Sequence, residues 1–84
     1  MVSGGYGVSY EERGDNAVLT AFTEFRSTVV SLLGEGGKVI ARRTDVVLKK
    51  GEKLRVSLEG QPAAGYLFVV RQGDRVKTSS LVKR

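Results

Sequence analysis

The chain contains no cysteine and no histidine in its 84 residues. The first absence rules out disulfides and thiolate metal ligands, and the second removes the other common zinc ligand. Together they exclude the Ser-His and Cys-His nucleophile pairs and the commonest general base near neutral pH. An enzyme would have to work with carboxylates, lysine or tyrosine alone. The composition therefore predicts a protein without catalytic, metal or cofactor sites.

Long apolar runs are also missing. No run approaches the roughly 18 residues of a membrane span, and no basic segment leads into an apolar stretch as in a signal peptide. The opening Met-Val-Ser-Gly-Gly is typical of a start residue followed by a flexible linker. We therefore expect residues 1–5 to be a linker or added residues, and residues 6–84 to form one domain of a longer protein.

Positive charge is in excess, with 14 basic and nine acidic residues and a formal net charge of +5. Nucleic acid, anionic lipid and acidic protein surfaces are all compatible with this balance. A nucleic-acid interface would combine basic residues with exposed aromatic rings for stacking, but several of the few aromatic residues occupy predicted core positions. Nucleic acid is therefore not the expected partner. A small basic β-domain that binds nucleic acid or glycans stays open as an alternative function.

The second half of the chain has the pattern of three strands. Residues 53–59 alternate between apolar and polar side chains, which is typical of a half-buried strand. Residues 66–71 are apolar at nearly every position, which predicts a central strand covered on both faces. A turn at residues 72–74 then leads into a more polar strand over residues 75–83, so the last two strands form a hairpin.

The first half is less uniform. Residues 38–48 read as a strand, with a polar turn at 49–52 after it and a Gly-rich segment at 34–37 before it, where tight turns need positive φ. Residues 6–12 are predicted to form an edge strand. Residues 17–33 are ambiguous because their apolar side chains recur at helical spacing and also alternate. Their high content of β-branched and aromatic residues favours two strands broken near Arg26, with a helix as the alternative.

Six or seven short strands without a helix must fold into a sandwich or close into a barrel. We expect an all-β sandwich of antiparallel strands. Its open edges are able to pair with other chains, so an adhesion or fibre subunit that assembles by its edges is a third possible function. The Gly-rich segment at 34–37 is a candidate hinge for a homodimer formed by strand exchange.

Three stretches of the chain, in order, match motifs of a known family. The first runs from Val30-Ser31-Leu32-Leu33 to Gly37-Lys38-Val39-Ile40 and matches a strand, a turn and a "G-K/R-x-V" segment. The second is residues 58–70, similar to the signature "L-x-x-L-P-x-G-x-Y-x-V-x-V". The third, Lys77-Thr78-Ser79-Ser80-Leu81-Val82-Lys83-Arg84, is similar to a basic "K-L-V-K" ending. From about residue 27 to residue 84 the chain thus resembles the C-terminal sorting domain of the type IX (Por) secretion system.

The resemblance implies an immunoglobulin-like sandwich that serves as a secretion signal. A cargo protein on its N-terminal side would cross the inner membrane by another route and pass through the outer membrane translocon of the type IX system. A sortase would then commonly remove the domain, near residues 2–7, and attach the cargo to an anionic lipopolysaccharide. The expected partners are therefore the translocon, the sortase and the cargo. The expected location is the periplasm in transit, and then the outer membrane surface or the extracellular space.

The resemblance also selects candidate sorting-motif residues: Gly37, Lys38, Pro62, Gly65, Tyr66, Lys77, Leu81, Val82, Lys83 and Arg84. Gly65 is expected to turn the chain, and Tyr66 is expected to bury its ring while its hydroxyl finds a partner. Leu81 is expected to pack inward. Lys83 and Arg84 are expected to be solvated and to contribute to recognition alone.

Overall fold

Seven antiparallel strands form two sheets across residues 5–84, the part of the chain that the computed structural model describes. The strands are β1 (Tyr6–Glu11), β2 (Asn16–Ala21), β3 (Phe25–Leu33), β4 (Val39–Leu48), β5 (Lys53–Ser57), β6 (Gly65–Gln72) and β7 (Arg75–Val82), with a short 3-10 turn at Glu35–Gly37. Residues 1–4, which include most of the predicted linker and half of the expected cleavage segment, lie outside the described residues.

The two sheets have an immunoglobulin-like strand order. Sheet 1 has the order β1-β2-β5, and sheet 2 has the order β4-β3-β6-β7. In constant-type immunoglobulin domains the fourth strand joins the first sheet, whereas here β4 pairs with β3 and enlarges sheet 2. The predicted all-β sandwich is confirmed, and seven is its number of strands. No helix in residues 5–84 is long and apolar enough to cross a membrane.

The ambiguous segment at residues 17–33 forms two strands, as favoured from its composition. The break lies at residues 22–24 instead of near Arg26, because the chain leaves sheet 1 after Ala21 and enters sheet 2 at Phe25. Phe22 lies in this crossover and is 55% exposed. Phe22 is one of the apolar residues that recur at helical spacing in this segment, but it is not part of the core.

One core lies between the inner faces of the two sheets. Its buried members are Ala17, Leu19, Ala21, Phe25, Val30, Leu32, Leu48, Val56, Leu58, Tyr66, Phe68, Val70 and Leu81. The edge strands β1 and β7 meet along one side, where Ser79 donates a hydrogen bond to the hydroxyl of Tyr6 over 3.1 Å. The Tyr6 ring also packs edge-on against Phe25. These contacts close the sandwich between its first and last strands.

The prediction for residues 66–71 is half right. Strand β6 is central, with β3 on one side and β7 on the other. Only its inner face is buried, however: Tyr66, Phe68 and Val70 face the core, while Leu67 and Val69 on the outer face are half-buried. Nothing in residues 5–84 covers this outer face, so the continuous apolar run reflects an uncovered apolar sheet surface.

Candidate recognition site

The loop between β5 and β6 is held by a tyrosine corner. The ring of Tyr66 is buried, and its hydroxyl donates a hydrogen bond to the carbonyl of Pro62, four residues upstream. Immunoglobulin-like domains use the same arrangement where the corresponding strand begins. Leu58 is fully buried as the chain enters this loop. The expected burial of Tyr66 is confirmed, and part of the family-like signature is thus explained by the fold.

Gly65 does not turn the chain, contrary to expectation. Its φ is not positive, it begins β6, and a Cβ added to it would meet no atom within 4 Å. The left-handed residue of this loop is Gly60, whose φ is +82°. Because neither backbone geometry nor space requires a glycine at residue 65, the fold alone does not explain that part of the motif.

Lys83 is anchored, and the expectation that it is solvated is wrong. Its Nζ donates hydrogen bonds to Asp15 Oδ2 (2.9 Å) and to the carbonyls of Leu58 (2.9 Å) and Gln61 (2.6 Å). Its side chain is only 12% exposed. The backbone N–H of Lys83 also donates to the Ala64 carbonyl. This Lys83 anchor ties the end of sheet 2 to the β1–β2 turn and to the β5–β6 loop.

Asp15 connects the Lys83 anchor to Tyr10. The Tyr10 hydroxyl donates a 2.7 Å hydrogen bond to Asp15 Oδ1. The hydrogen bond from Lys83 and the one from Tyr10 lower the pKa of Asp15. The same carboxylate raises the pKa of Tyr10 to about 12, mainly because it accepts the hydroxyl proton's hydrogen bond. Sequence reasoning missed both residues, since no local pattern joins Asp15 to a lysine 68 positions away.

The turn between β3 and β4 reaches the same end of the sandwich. Gly36 and Gly37 adopt φ values of +70° and +80°, so the turn needs glycine. Lys38 is exposed and lines a cleft of about 140 Å³ together with Pro62 and Tyr66. Lys38 of the first motif stretch and Pro62 of the second, 24 positions apart along the chain, therefore meet in one cleft. The turn closes a hairpin within one chain, and strand exchange stays a prediction.

The end of β7 lies beside the second motif. Leu81 pairs with Tyr66 and is buried, as expected, whereas Val82 pairs with Gly65 and is 59% exposed. Arg84 is also exposed. Among the candidate residues, those accessible at this end are the side chains of Lys38, Pro62, Val82 and Arg84 and the backbone of Gly65, and we call this set the motif end.

Lys77 is the one candidate that lies elsewhere. It is exposed and pairs with Val70, near the other end of β6. Lys77 and Val82 are five positions apart along the extended strand, or about 17 Å. Its neighbours include Tyr6 and Thr78. The structure therefore brings nine of the ten candidate residues to one end of the sandwich and leaves Lys77 out.

The chemical groups at the motif end are suited to contacts with a binding partner. Within residues 5–84, no three carboxylate side chains lie close enough together to hold a metal ion. The accessible groups of the motif end are two cations, apolar side chains and backbone. No protein-family model matches the chain, and no curated protein sequence matches it. The resemblance to the type IX sorting domain stays a prediction.

Proposed function

We propose that this chain is a type IX sorting domain that directs a cargo protein through the outer membrane to the cell surface. A receptor would read its folded shape and not an extended peptide. The motif residues divide into two groups on this proposal. Tyr66, Leu81 and Lys83 hold the frame, while Lys38, Val82 and their exposed neighbours at the motif end contact the receptor.

The observation that carries the proposal is the convergence of three separate motif stretches. Apart from Lys77, their candidate residues occupy positions 37–38, 62–66 and 81–84, and the strand pairing of β3, β6 and β7 brings these residues to one end of the domain. A tyrosine corner accounts for Tyr66 and Pro62 as parts of a loop. It does not account for Gly65, Lys38 or Arg84, which have no role in the core. Exposed residues without a packing role are the ones that binding would select.

The domain also offers a rigid surface at this end. The Lys83 anchor and the tyrosine corner fix the β5–β6 loop from two sides. A loop fixed in this way loses little conformational freedom when a receptor binds, and affinity rises accordingly. The translocon and the sortase are therefore the proposed partners. The periplasm, followed by the outer surface, is the proposed route.

A fusion experiment tests the proposal. Residues 1–84 are joined behind a reporter that is exported to the periplasm of a host with a type IX system. Surface exposure of the reporter is then measured by protease digestion of intact cells. We expect the fused reporter at the surface and the unfused reporter in the periplasm. Retention of both reporters in the periplasm would refute the sorting function.

A further inference from the structure

The outer face of sheet 2 carries a patch that the motif end does not include. Six side chains surround a shallow depression of about 240 Å³ in the middle of this face: Val29, Ser31, Arg42, Val69, Arg71 and Val76. We call these six side chains the sheet 2 patch. They come from all four strands of the sheet, so the patch spans about 15 Å across the strands.

Strand register explains why these side chains share one face. Ser31 pairs with Arg42 on β4 and with Val69 on β6. Arg71 pairs with Val29 on β3 and with Val76 on β7. Directly paired residues of antiparallel strands project to the same side. Two arginines therefore lie among valines and a serine on a surface with no carboxylate among its six members.

The outer face of sheet 1 is built differently. There, Arg55 Nε lies 3.2 Å from Glu11 Oε1, and Asn16 donates a further hydrogen bond to the same carboxylate. Beneath them Val18 is only 4% exposed. Within residues 5–84, by contrast, neither Arg42 nor Arg71 forms an ion pair. A guanidinium is a fork of N–H donors that matches a carboxylate, and the sheet 2 patch leaves two such forks free.

We propose that the sheet 2 patch docks a partner protein through an apolar contact surface with carboxylates at its margin. The inference rests on the proposed function, because the partner it specifies is the protein that receives the domain during sorting. The apolar centre would supply buried contact area, and the two arginines would fix orientation and speed association. The sorting machinery would then contact the domain at two surfaces, the sheet 2 patch and the motif end.

Charge and composition favour this partner over two others. A second copy docking face to face would bring arginines close to arginines, with no carboxylate in the patch to pair with them. Single-stranded nucleic acid needs aromatic rings for stacking, and none of the six patch side chains is aromatic. A protein surface with an apolar centre and carboxylates at its margin offers contacts to the valines and ion pairs to both arginines.

The test compares two charge-reversal variants in the reporter fusion. Arg42→Glu with Arg71→Glu alters the patch, and Arg13→Glu with Lys53→Glu alters exposed positions on the sheet 1 side. Both pairs lower the net charge by the same amount. Because all four side chains are exposed, both variants are expected to melt close to the unaltered domain. A milder variant, Arg42→Gln with Arg71→Gln, removes charge without introducing repulsion if the first patch variant melts early.

We expect the patch variant to reduce surface display of the reporter by about tenfold or more, while the sheet 1 variant is displayed normally. Normal display of both variants would overturn the docking patch and leave the sorting function standing. Equal loss in both variants would also overturn it, because net charge alone would then explain the effect. Failure of the unaltered domain to display the reporter would refute the sorting function, and the partner inferred from it.

Binding assays with the purified domain distinguish the other occupants. Sedimentation with vesicles of phosphatidylcholine and phosphatidylglycerol tests an anionic lipid surface, and a gel shift with a single-stranded oligonucleotide tests nucleic acid. We expect neither probe to bind in a way that depends on Arg42 and Arg71. Arginine-dependent binding of either probe would overturn the protein partner in favour of that ligand.

Discussion

The two halves of the sandwich share a core but differ in the net charge that they carry. Sheet 2 with its turns, residues 25–48 and 65–84, has nine basic and three acidic residues, a net charge of +6. The rest of the described chain, residues 5–24 and 49–64, has five basic and six acidic residues, a net charge of −1. The excess of positive charge therefore lies on the sheet 2 half, whereas basic and acidic residues nearly balance in the rest of the described chain. The overall charge of +5 hides this division.

The inner faces of the two sheets should contribute similarly to stability, although their outer faces differ in charge. Phe68 in sheet 2 and Leu19 in sheet 1 are both completely buried. Replacing either with alanine removes contacts with both sheets, so each should cost about 2–5 kcal/mol of unfolding free energy. Denaturant unfolding of the two variants checks this prediction. A large loss for one variant and almost none for the other would show that the halves do not share a core.

The Lys83 anchor is the main polar connection between the halves. Lys83→Met keeps the aliphatic stem but removes the charged hydrogen bonds to Asp15 and to two carbonyls, which should cost about 1.5–3 kcal/mol or more. Deleting Arg84, which is exposed, should cost almost nothing. Thermal melting compares the two. Equal stability of both variants would mean that Lys83 is as dispensable as its neighbour.

Substitutions at the two motif glycines, Gly37 and Gly65, should differ in their effect on stability. Gly37 is required by the fold, whereas Gly65 is not. Gly37→Ala puts a Cβ on a residue at φ +80° and should cost about 1–2 kcal/mol. Gly65→Ala should leave the melting temperature nearly unchanged, because its φ is not positive and a Cβ there meets no atom within 4 Å. If Gly65→Ala melts as early as Gly37→Ala, residue 65 has a structural role that the geometry does not provide.

Low pH should destabilise the domain through two carboxylates on the sheet 1 side, Asp15 and Glu11. Hydrogen bonds from Lys83 lower the pKa of Asp15, and those from Asn16 and then Arg55 lower the pKa of Glu11. A carboxyl with a lowered folded-state pKa binds its proton more weakly in the folded chain. Its stabilisation is therefore present above its ordinary pKa near 4 and is lost as the pH falls through the folded-state pKa.

The variants Asp15→Asn and Asp74→Asn test this acid dependence. Melting temperatures between neutral pH and about pH 2 should fall less steeply for Asp15→Asn than for the unaltered domain. Asp74 lies in the β6–β7 turn and forms no ion pair within residues 5–84, so Asp74→Asn should retain the full slope. Parallel curves for all three proteins would contradict the assignment.

The smallest effect is expected on the outer faces. Arg55→Met breaks the exposed pair with Glu11 and should lower the melting temperature by no more than a few degrees. Arg71→Met breaks no ion pair and should leave the melting temperature unchanged or raise it. The difference between the melting temperatures of these two variants measures how much the Arg55–Glu11 pair on sheet 1 contributes to stability. If Arg71→Met lowered the melting temperature more than Arg55→Met does, the conclusion that Arg71 forms no stabilising ion pair within residues 5–84 would be contradicted.

Strand identity was predictable because it depends on local alternation, and so was the burial of Tyr66 and Leu81. The anchoring of Lys83 was not, because its acceptors lie 22, 25 and 68 positions away along the chain. The run at residues 66–71 predicted cover on both faces, since composition does not distinguish a covered apolar face from an uncovered one. The convergence at the motif end depends on strand order, which local patterns do not specify.

One measurement tests the central claim that the motif end is read on a folded frame. The double variant Lys38→Ala with Arg84→Ala removes two exposed cations from that end and should leave the melting temperature unchanged. Lys49→Ala with Lys50→Ala removes the same charge from the exposed β4–β5 turn as the control. Surface display of the fused reporter should fall for the first variant and persist for the second. Normal display of a stable Lys38→Ala, Arg84→Ala domain would contradict the account.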